Sequence, residues 1–103
     1  MIKAKKSLGQ NFLIDKNILD KIVNATDISN KTVLEIGPGT GNLTTYILKK
    51  NPKKMFVIEK DNELSINLAN KFNSKITIIN DDVLKIDETK LFKEQVTVFG
   101  NLP

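Results

Sequence analysis

The segment EIGPGTG at residues 35–41 constrains the fold of this chain more than any other feature, because it places alternating glycines directly after a strand-like run. Residues 32–36 carry branched, apolar side chains almost continuously, which is typical of a parallel strand covered on both faces. Glycines at positions 37, 39 and 41 allow a tight turn and let the backbone approach a ligand without an intervening Cβ atom. An ordinary strand-to-helix turn does not need so many glycines, so the segment predicts a ligand-binding turn.

The same alternation of strand and helix continues along the chain. The predicted strands are residues 32–36, 55–58, 76–79 and 96–99. Apolar residues at helical spacing follow the glycine-rich turn as far as Pro52, and a second such pattern follows Asp61, its predicted N-cap. A short helical stretch is predicted at residues 90–93, and another helix, capped by Asp15, reaches to about residue 25 before the first strand.

This order of elements predicts an α/β fold with a doubly wound parallel sheet, since crossovers between parallel strands are right-handed. The predicted strand order is 3-2-1-4, with the topological switch between the first and fourth strands. Ligands of such sheets bind beyond the carboxyl ends of the strands. Four chemically distinctive features each follow a different predicted strand: the glycine-rich turn, Glu59, Asp82 and Asn101. The sequence therefore predicts that they meet at one edge of the sheet, the edge formed by the carboxyl ends of the strands, which is called the rim below.

Composition excludes several kinds of chemistry. The chain has 103 residues and contains no Cys and no His, so it offers no thiolate nucleophile, no disulfide, no imidazole base and no ordinary zinc site. We therefore predict no metal site. There is no apolar run long enough to span a bilayer and no secretory signal, which together with the absence of disulfides predicts a cytoplasmic location. A net charge of +4 is compatible with a nucleic-acid partner but is weak evidence for one.

Two cofactor classes compete for the glycine-rich turn. A dinucleotide fingerprint, G-x-G-x-x-G, would need its third glycine at position 42, which is Asn. The spacing E-x-G-x-G-x-G instead resembles the first motif of S-adenosylmethionine-dependent methyltransferases with the class I fold. Glu59 could accept hydrogen bonds from both hydroxyls of a ribose, and Asp82 from an adenine amino group. Both cofactors contain these groups, so a nicotinamide-dependent Rossmann domain stays as an alternative.

Taken together, several segments resemble successive motifs of the ribosomal RNA adenine N6-dimethyltransferase family. The segments are residues 6–13, 35–41, 57–61, 82–84 and 100–103. Residues 8–13 and 101–103 look most like the housekeeping branch, which dimethylates two adjacent adenosines near the 3′ end of small-subunit ribosomal RNA. The related macrolide-resistance enzymes, which modify large-subunit RNA, are an alternative, as is a non-enzymatic RNA-binding module.

The resemblance implies a role for particular residues, with S-adenosylmethionine as cofactor and the immature small ribosomal subunit as partner. The catalytic segment would be Asn101, Leu102 and Pro103. The residues implied to bind the cofactor are Gln10, Asn11, Leu13, Gly37, Gly39, Glu59, Lys60, Asp82, Val83 and Asn101. Among these, Asn11 and Leu13 would close over the methionine end of the cofactor, and Asn101 would face both cofactor and target base.

Family members continue beyond the position of Pro103 with an aromatic residue, the rest of the catalytic domain and a small helical domain. We therefore expect residues 1–103 to be the N-terminal part of the S-adenosylmethionine-binding catalytic domain, with residues 1–14 as an arm. Such a piece alone is expected to be inactive. It is also expected to self-associate, because the apolar strand at residues 96–99 would lie at an exposed sheet edge.

Overall fold

A parallel sheet forms the centre of the protein in the computed structural model, which describes residues 21–87 and 96–100. Its strands are β1 (Thr32–Ile36), β2 (Lys54–Ile58), β3 (Thr77–Ile79) and β4 (Thr97–Gly100). They are ordered β3-β2-β1-β4, and all three neighbouring pairs are parallel. The predicted α/β class and strand order are therefore confirmed.

The two described helices longer than one turn connect these strands. Helix α1 spans Asn42–Leu48 and helix α2 spans Asn62–Phe72. The predicted N-cap of α2 is confirmed, because the side chain of Asp61 accepts a hydrogen bond from the Leu64 N–H at 2.8 Å. Residues 21–24 are helical as well, which agrees with a helix that reaches to about residue 25. Two short 3-10 turns, Asn73–Lys75 and Val83–Lys85, were not predicted.

The two faces of the sheet carry separate apolar clusters, because successive side chains of a strand point in opposite directions. Val33, Val57 and Phe99 lie on the face that packs against α1, α2 and the helical residues before β1. Leu34, Ile36 and Ile58 lie on the other face. Every residue of β1 is buried, as the nearly continuous run of branched apolar residues predicted for a central strand.

Some boundaries differ from the prediction by one residue. The last strand begins at Thr97 and runs to Gly100, where residues 96–99 were expected. The reason is register: Gly100 pairs with Ile36, so the last residue of β1 extends β4 by one position. Asp15, the helical stretch at residues 90–93 and the arm at residues 1–14 lie outside the described residues. Within the described ranges, no helix is long and apolar enough to cross a membrane.

Candidate cofactor-binding site

The glycine-rich turn between β1 and α1 has a left-handed backbone at each of its three glycines. Gly37, Gly39 and Gly41 have φ angles of 65°, 60° and 88°, a region that residues with a Cβ atom rarely adopt. Gly41 is required for a second reason, since a Cβ atom there would lie 2.6 Å from Cε2 of Phe72. The glycine at this position therefore allows α2 to pack closely against the start of α1.

Backbone hydrogen bonds hold the turn against the sheet. The N–H of Gly37 donates to the carbonyl oxygen of Ile58, at the end of β2, at 2.9 Å. The N–H of Gly41 donates to the carbonyl oxygen of Pro38 at 3.0 Å and closes the turn on itself. Both bonds use main-chain atoms only, so they hold the loop in place without a contribution from any side chain.

The carboxylate of Glu59 joins the glycine-rich turn to the start of α2. Its Oε1 accepts a hydrogen bond from the Gly39 N–H at 3.1 Å, and its Oε2 accepts one from the Asp61 N–H at 3.0 Å. The residue is only 6% exposed. The sequence predicted Glu59 as a ribose acceptor but not this second role. No local signal could have indicated it, because Gly39 and Glu59 are 20 residues apart.

The main chain at Glu59 is also tied to its neighbours. Its carbonyl oxygen accepts hydrogen bonds from the Asn80 Nδ2 at 2.9 Å and the Ser65 Oγ at 3.3 Å. Asn80 donates as well to the carbonyl oxygen of Lys60 at 3.3 Å. Asn80 therefore links the end of β3 to the end of β2, a positioning role that the sequence did not predict.

Asp82 stands at the same rim, after β3, in a more local arrangement. Its Oδ1 accepts a hydrogen bond from the Leu84 N–H at 3.0 Å, which caps the 3-10 turn Val83–Lys85. Its own N–H donates to the Asp81 Oδ1 at 2.7 Å. The side chain of Val83 packs against the apolar cluster on the face of the sheet opposite the helices.

The structure thus brings part of the predicted site together. The predicted cofactor residues that follow β1, β2 and β3 in the described ranges are Gly37, Gly39, Glu59, Lys60, Asp82 and Val83. The other predicted site residues lie outside the described residues: Gln10, Asn11, Leu13, Asn101, Leu102 and Pro103. Among the residues that the structure describes, no group of three or more His, Cys, Asp or Glu side chains could hold a metal ion.

The rim has the chemistry to hold a nucleoside-containing cofactor. Each oxygen of the Glu59 carboxylate accepts one hydrogen bond from the described part of the chain, and a carboxylate oxygen can accept two. A neighbouring diol could therefore donate to Glu59 without displacing the turn. The left-handed glycines beside it leave the backbone open to close approach. A parallel β3-β2-β1-β4 sheet with this turn after β1 and an acidic residue after β2 is a Rossmann-like arrangement, and the E-x-G-x-G-x-G spacing of its turn is that of the class I methyltransferase fold.

Three solved structures share this fold. A dimethyladenosine transferase from Plasmodium falciparum superposes with a TM-score of 0.74 at 30% identity, covering 90% of this chain and 34% of that one. The 23S rRNA methyltransferase ErmE superposes with a TM-score of 0.73 at 27% identity, covering 90% of this chain and 38% of that one. The crystal structure of PRMT6-SAH superposes with a TM-score of 0.64 at 26% identity, covering 84% of this chain and 30% of that one.

Sequence comparison identifies the family within that class. The chain belongs to the ribosomal RNA adenine dimethylase family, which matches residues 1–103. A relative from Pelagibacter ubique (strain HTCC1062), named Ribosomal RNA small subunit methyltransferase A, is 65% identical over 102 residues, covering 99% of this chain and 39% of the relative. One of the same name from Ehrlichia ruminantium (strain Gardel) is 47% identical, covering 100% and 41%. The chain therefore spans about two fifths of the length of these curated relatives, and the family resemblance drawn from the motifs is confirmed.

Proposed function

We propose that this chain is the cofactor-binding part of an S-adenosylmethionine-dependent enzyme that dimethylates N6 of two adjacent adenosines near the 3′ end of small-subunit ribosomal RNA. The observation that carries the proposal is the buried Glu59 carboxylate, which holds the glycine-rich turn and keeps acceptor capacity at the rim. The names of the relatives favour the small-subunit RNA as substrate. Such an enzyme would act in the cytoplasm on the immature small subunit.

Different residues of the described rim would bind different parts of the cofactor. Glu59 would accept hydrogen bonds from the ribose hydroxyls, and the main chain at Gly37 and Gly39 would lie against the cofactor. Asp82 would accept a hydrogen bond from the adenine amino group, beside Val83 and Lys60. The cap bond to Leu84 uses only one oxygen of Asp82, so its second oxygen can serve the adenine. When bound, S-adenosylmethionine would supply an electrophilic methyl group on a sulfonium centre.

The remaining assignments concern the segment after β4. Gly100 pairs with Ile36, directly before the glycine-rich turn, so β4 ends next to the proposed cofactor. We assign to the side-chain oxygen of Asn101 and the carbonyl oxygen of Leu102 the acceptance of the hydrogens on adenine N6. That would localise the nitrogen lone pair and stabilise positive charge on it. Pro103 completes this segment.

The N-terminal arm has a separate assignment. Asn11, Leu13 and Gln10 would cover the methionine end of the cofactor.

The target adenine must leave its helix to reach the rim, as in other enzymes that modify a base. Alignment of adenine N6 with the cofactor and stabilisation of the positive charge on that nitrogen would then supply most of the catalysis, because this methyl transfer needs no strong general base. The absence of His from the chain is therefore compatible with this reaction.

Calorimetry tests the cofactor class. Titration of the protein with S-adenosylmethionine should give measurable binding heat, and titration with NAD should give none. Heat with NAD alone would favour the nicotinamide-dependent alternative. Heat with neither would favour a non-enzymatic RNA-binding module.

A methylation assay tests the substrate. The protein containing this chain, extended to the length of its relatives, is incubated with labelled cofactor and either under-methylated small-subunit particles or large-subunit RNA. Label recovered as N6-dimethyladenosine in the small-subunit RNA supports the proposal. Label found only in the large-subunit RNA would favour the macrolide-resistance type of activity.

Removal of residues 1–13 tests the assignment of the N-terminal arm. We expect the shortened protein to lose affinity for both S-adenosylmethionine and RNA, because Gln10, Asn11 and Leu13 are assigned to the cofactor. If RNA binding alone weakens, the arm is a basic tether that holds RNA through its lysines, and such binding should fall steeply with salt.

A further inference from the structure

A second carboxyl group, that of Glu35, is buried beneath the proposed site. Glu35 is 3% exposed and stands one residue before the end of β1. Its neighbours in the sheet are Val57 on one side and Phe99 on the other, and both belong to the apolar cluster under the helices. Burial of a carboxyl group in such surroundings is unfavourable unless its oxygens are hydrogen-bonded. Its presence here therefore needs a physical reason.

One partner of this carboxyl group comes from α1. The hydroxyl group of Thr44, which is fully buried, donates a hydrogen bond to Oε1 of Glu35. Thr44 lies in the first turn of α1, and Glu35 lies in β1, so the bond joins the two elements that flank the glycine-rich turn. The bond therefore connects the residues before and after the segment 37–41 through side chains and not through the main chain.

The other side-chain hydrogen bonds at the start of α1 stay within the turn and the helix: Nδ2 of Asn42 donates to Oγ1 of Thr40 at 3.0 Å, which does not reach the sheet. The N-cap residue of α1 is Gly41, which provides no side-chain cap hydrogen bond. The hydroxyl group of Thr45 donates to the carbonyl oxygen of Gly41 at 3.0 Å, which strengthens the first turn internally but does not attach it to the sheet. The Thr44 hydroxyl is thus a directional link from this first turn to the central strand.

We propose that Glu35 and Thr44 are positioning residues, which set the distance between β1 and α1 and thereby hold the glycine-rich turn in its cofactor-binding geometry. The inference rests on the proposed function, because it concerns affinity for S-adenosylmethionine. It assigns no contact with the cofactor to either residue. Loss of the bond should weaken cofactor binding while the reaction rate at saturating cofactor stays close to normal.

Two substitutions at Thr44 separate this role from a purely structural one. Thr44→Val keeps the volume of the side chain and removes the donor. Thr44→Ser keeps the donor and removes a buried methyl group. A structural role predicts that cofactor affinity follows stability in both variants. A positioning role predicts that affinity follows the hydroxyl group instead.

The experiment measures the S-adenosylmethionine dissociation constant by calorimetry and the melting temperature of each variant, with Ile47→Val as the matched control. Ile47 is fully buried on the same helix and has no polar group to lose. We expect the dissociation constant of Thr44→Val to be roughly tenfold larger than that of the unsubstituted protein. For Thr44→Ser and Ile47→Val we expect values within twofold of the unsubstituted protein, despite lower melting temperatures. In the methylation assay, Thr44→Val should raise the KM for cofactor with kcat nearly unchanged.

The outcomes distinguish the two proposals. If the unsubstituted protein binds no S-adenosylmethionine, the proposed function fails and this inference fails with it. If it binds, and Thr44→Val binds equally well or no worse than Ile47→Val, only the positioning role is overturned. Should Thr44→Val fail to fold, Thr44→Ser decides alone: near-normal affinity at reduced stability supports the role, and a tenfold loss of affinity overturns it.

Discussion

Glu59 and Asp82 follow neighbouring strands of one sheet, and both supply a carboxylate to the same rim, yet they are held by different means. Glu59 is buried and accepts hydrogen bonds from the main chain of two separate segments, at Gly39 and Asp61. Asp82 is half-buried and accepts its hydrogen bond from Leu84, two residues away in its own 3-10 turn. The first arrangement depends on the tertiary fold, and the second on local turn chemistry.

The difference teaches where binding and stability are coupled. Removal of the Glu59 carboxylate would leave N–H groups of two loops without their acceptor, and so would disturb the rim as well as any ligand contact. Removal of the Asp82 carboxylate would affect one short turn. We therefore expect substitutions around Glu59 to change stability and cofactor affinity together, and substitutions at Asp82 to separate the two.

The largest effect is expected for Glu59→Ala. Hydrogen bonds to a charged acceptor contribute about 1.5–3 kcal/mol each, so loss of both should lower the free energy of unfolding by about 3 kcal/mol. Affinity for S-adenosylmethionine should fall at least about tenfold, which corresponds to about 1.4 kcal/mol. Urea denaturation and calorimetry measure the two quantities. Glu63→Ala, an exposed position in the first turn of α2, is the control. Unchanged affinity in Glu59→Ala would mean that the ribose is misplaced.

A somewhat smaller effect is expected for Gly41→Ala. The new Cβ atom would stand 2.6 Å from the ring of Phe72, on a backbone with φ of 88°. Left-handed strain and overpacking should together lower the free energy of unfolding by about 2 kcal/mol or more. Because the ring edge can shift, Gly41→Ala with Phe72→Leu should recover part of this loss. Thermal denaturation of the single and double variants measures it. No recovery would assign the loss to backbone strain alone.

Asp82→Asn should separate binding from stability. The amide oxygen can still accept the hydrogen bond from Leu84, so the free energy of unfolding should change by less than about 0.5 kcal/mol. The carboxylate oxygen proposed for the adenine amino group is lost, and affinity for S-adenosylmethionine should fall about threefold, or about 0.6 kcal/mol. Asp82→Ala removes the cap too and should lower stability by about 1 kcal/mol. Equal stability of the Asn and Ala variants would contradict the capping role.

The smallest effect is expected for Lys71→Met. The Lys71 Nζ donates to the carbonyl oxygen of Thr40, in the same glycine-rich turn that Glu59 holds, at 3.2 Å. Lys71 is exposed, so water can replace this donor, and the free energy of unfolding should change by no more than about 0.5 kcal/mol. Affinity for S-adenosylmethionine should stay within twofold. A tenfold loss of affinity would show that the turn depends on exposed as well as buried contacts.

Features carried by short-range patterns could be predicted from the sequence. The apolar run of β1, the alternation of glycines after it and the cap of α2 by Asp61 depend on residues close in the chain, and the structure has each of them. The strand order followed from the handedness of crossovers, and was confirmed. The one-residue extension of β4 could not be predicted, since it is set by pairing with Ile36.

The sequence by itself determined the fold class, the sheet edge at which the glycine-rich turn, Glu59 and Asp82 stand, and the family to which the chain belongs. Only the tertiary structure decided how that rim is held: Glu59 as a bridge between two loops, Asn80 as a link between two strand ends, and Thr44 as one partner of the buried Glu35. Periodicity and motif spacing report which element a residue belongs to and which end it occupies. They do not report the partner of a side chain, because that partner is brought close by the packing of elements far apart in the chain.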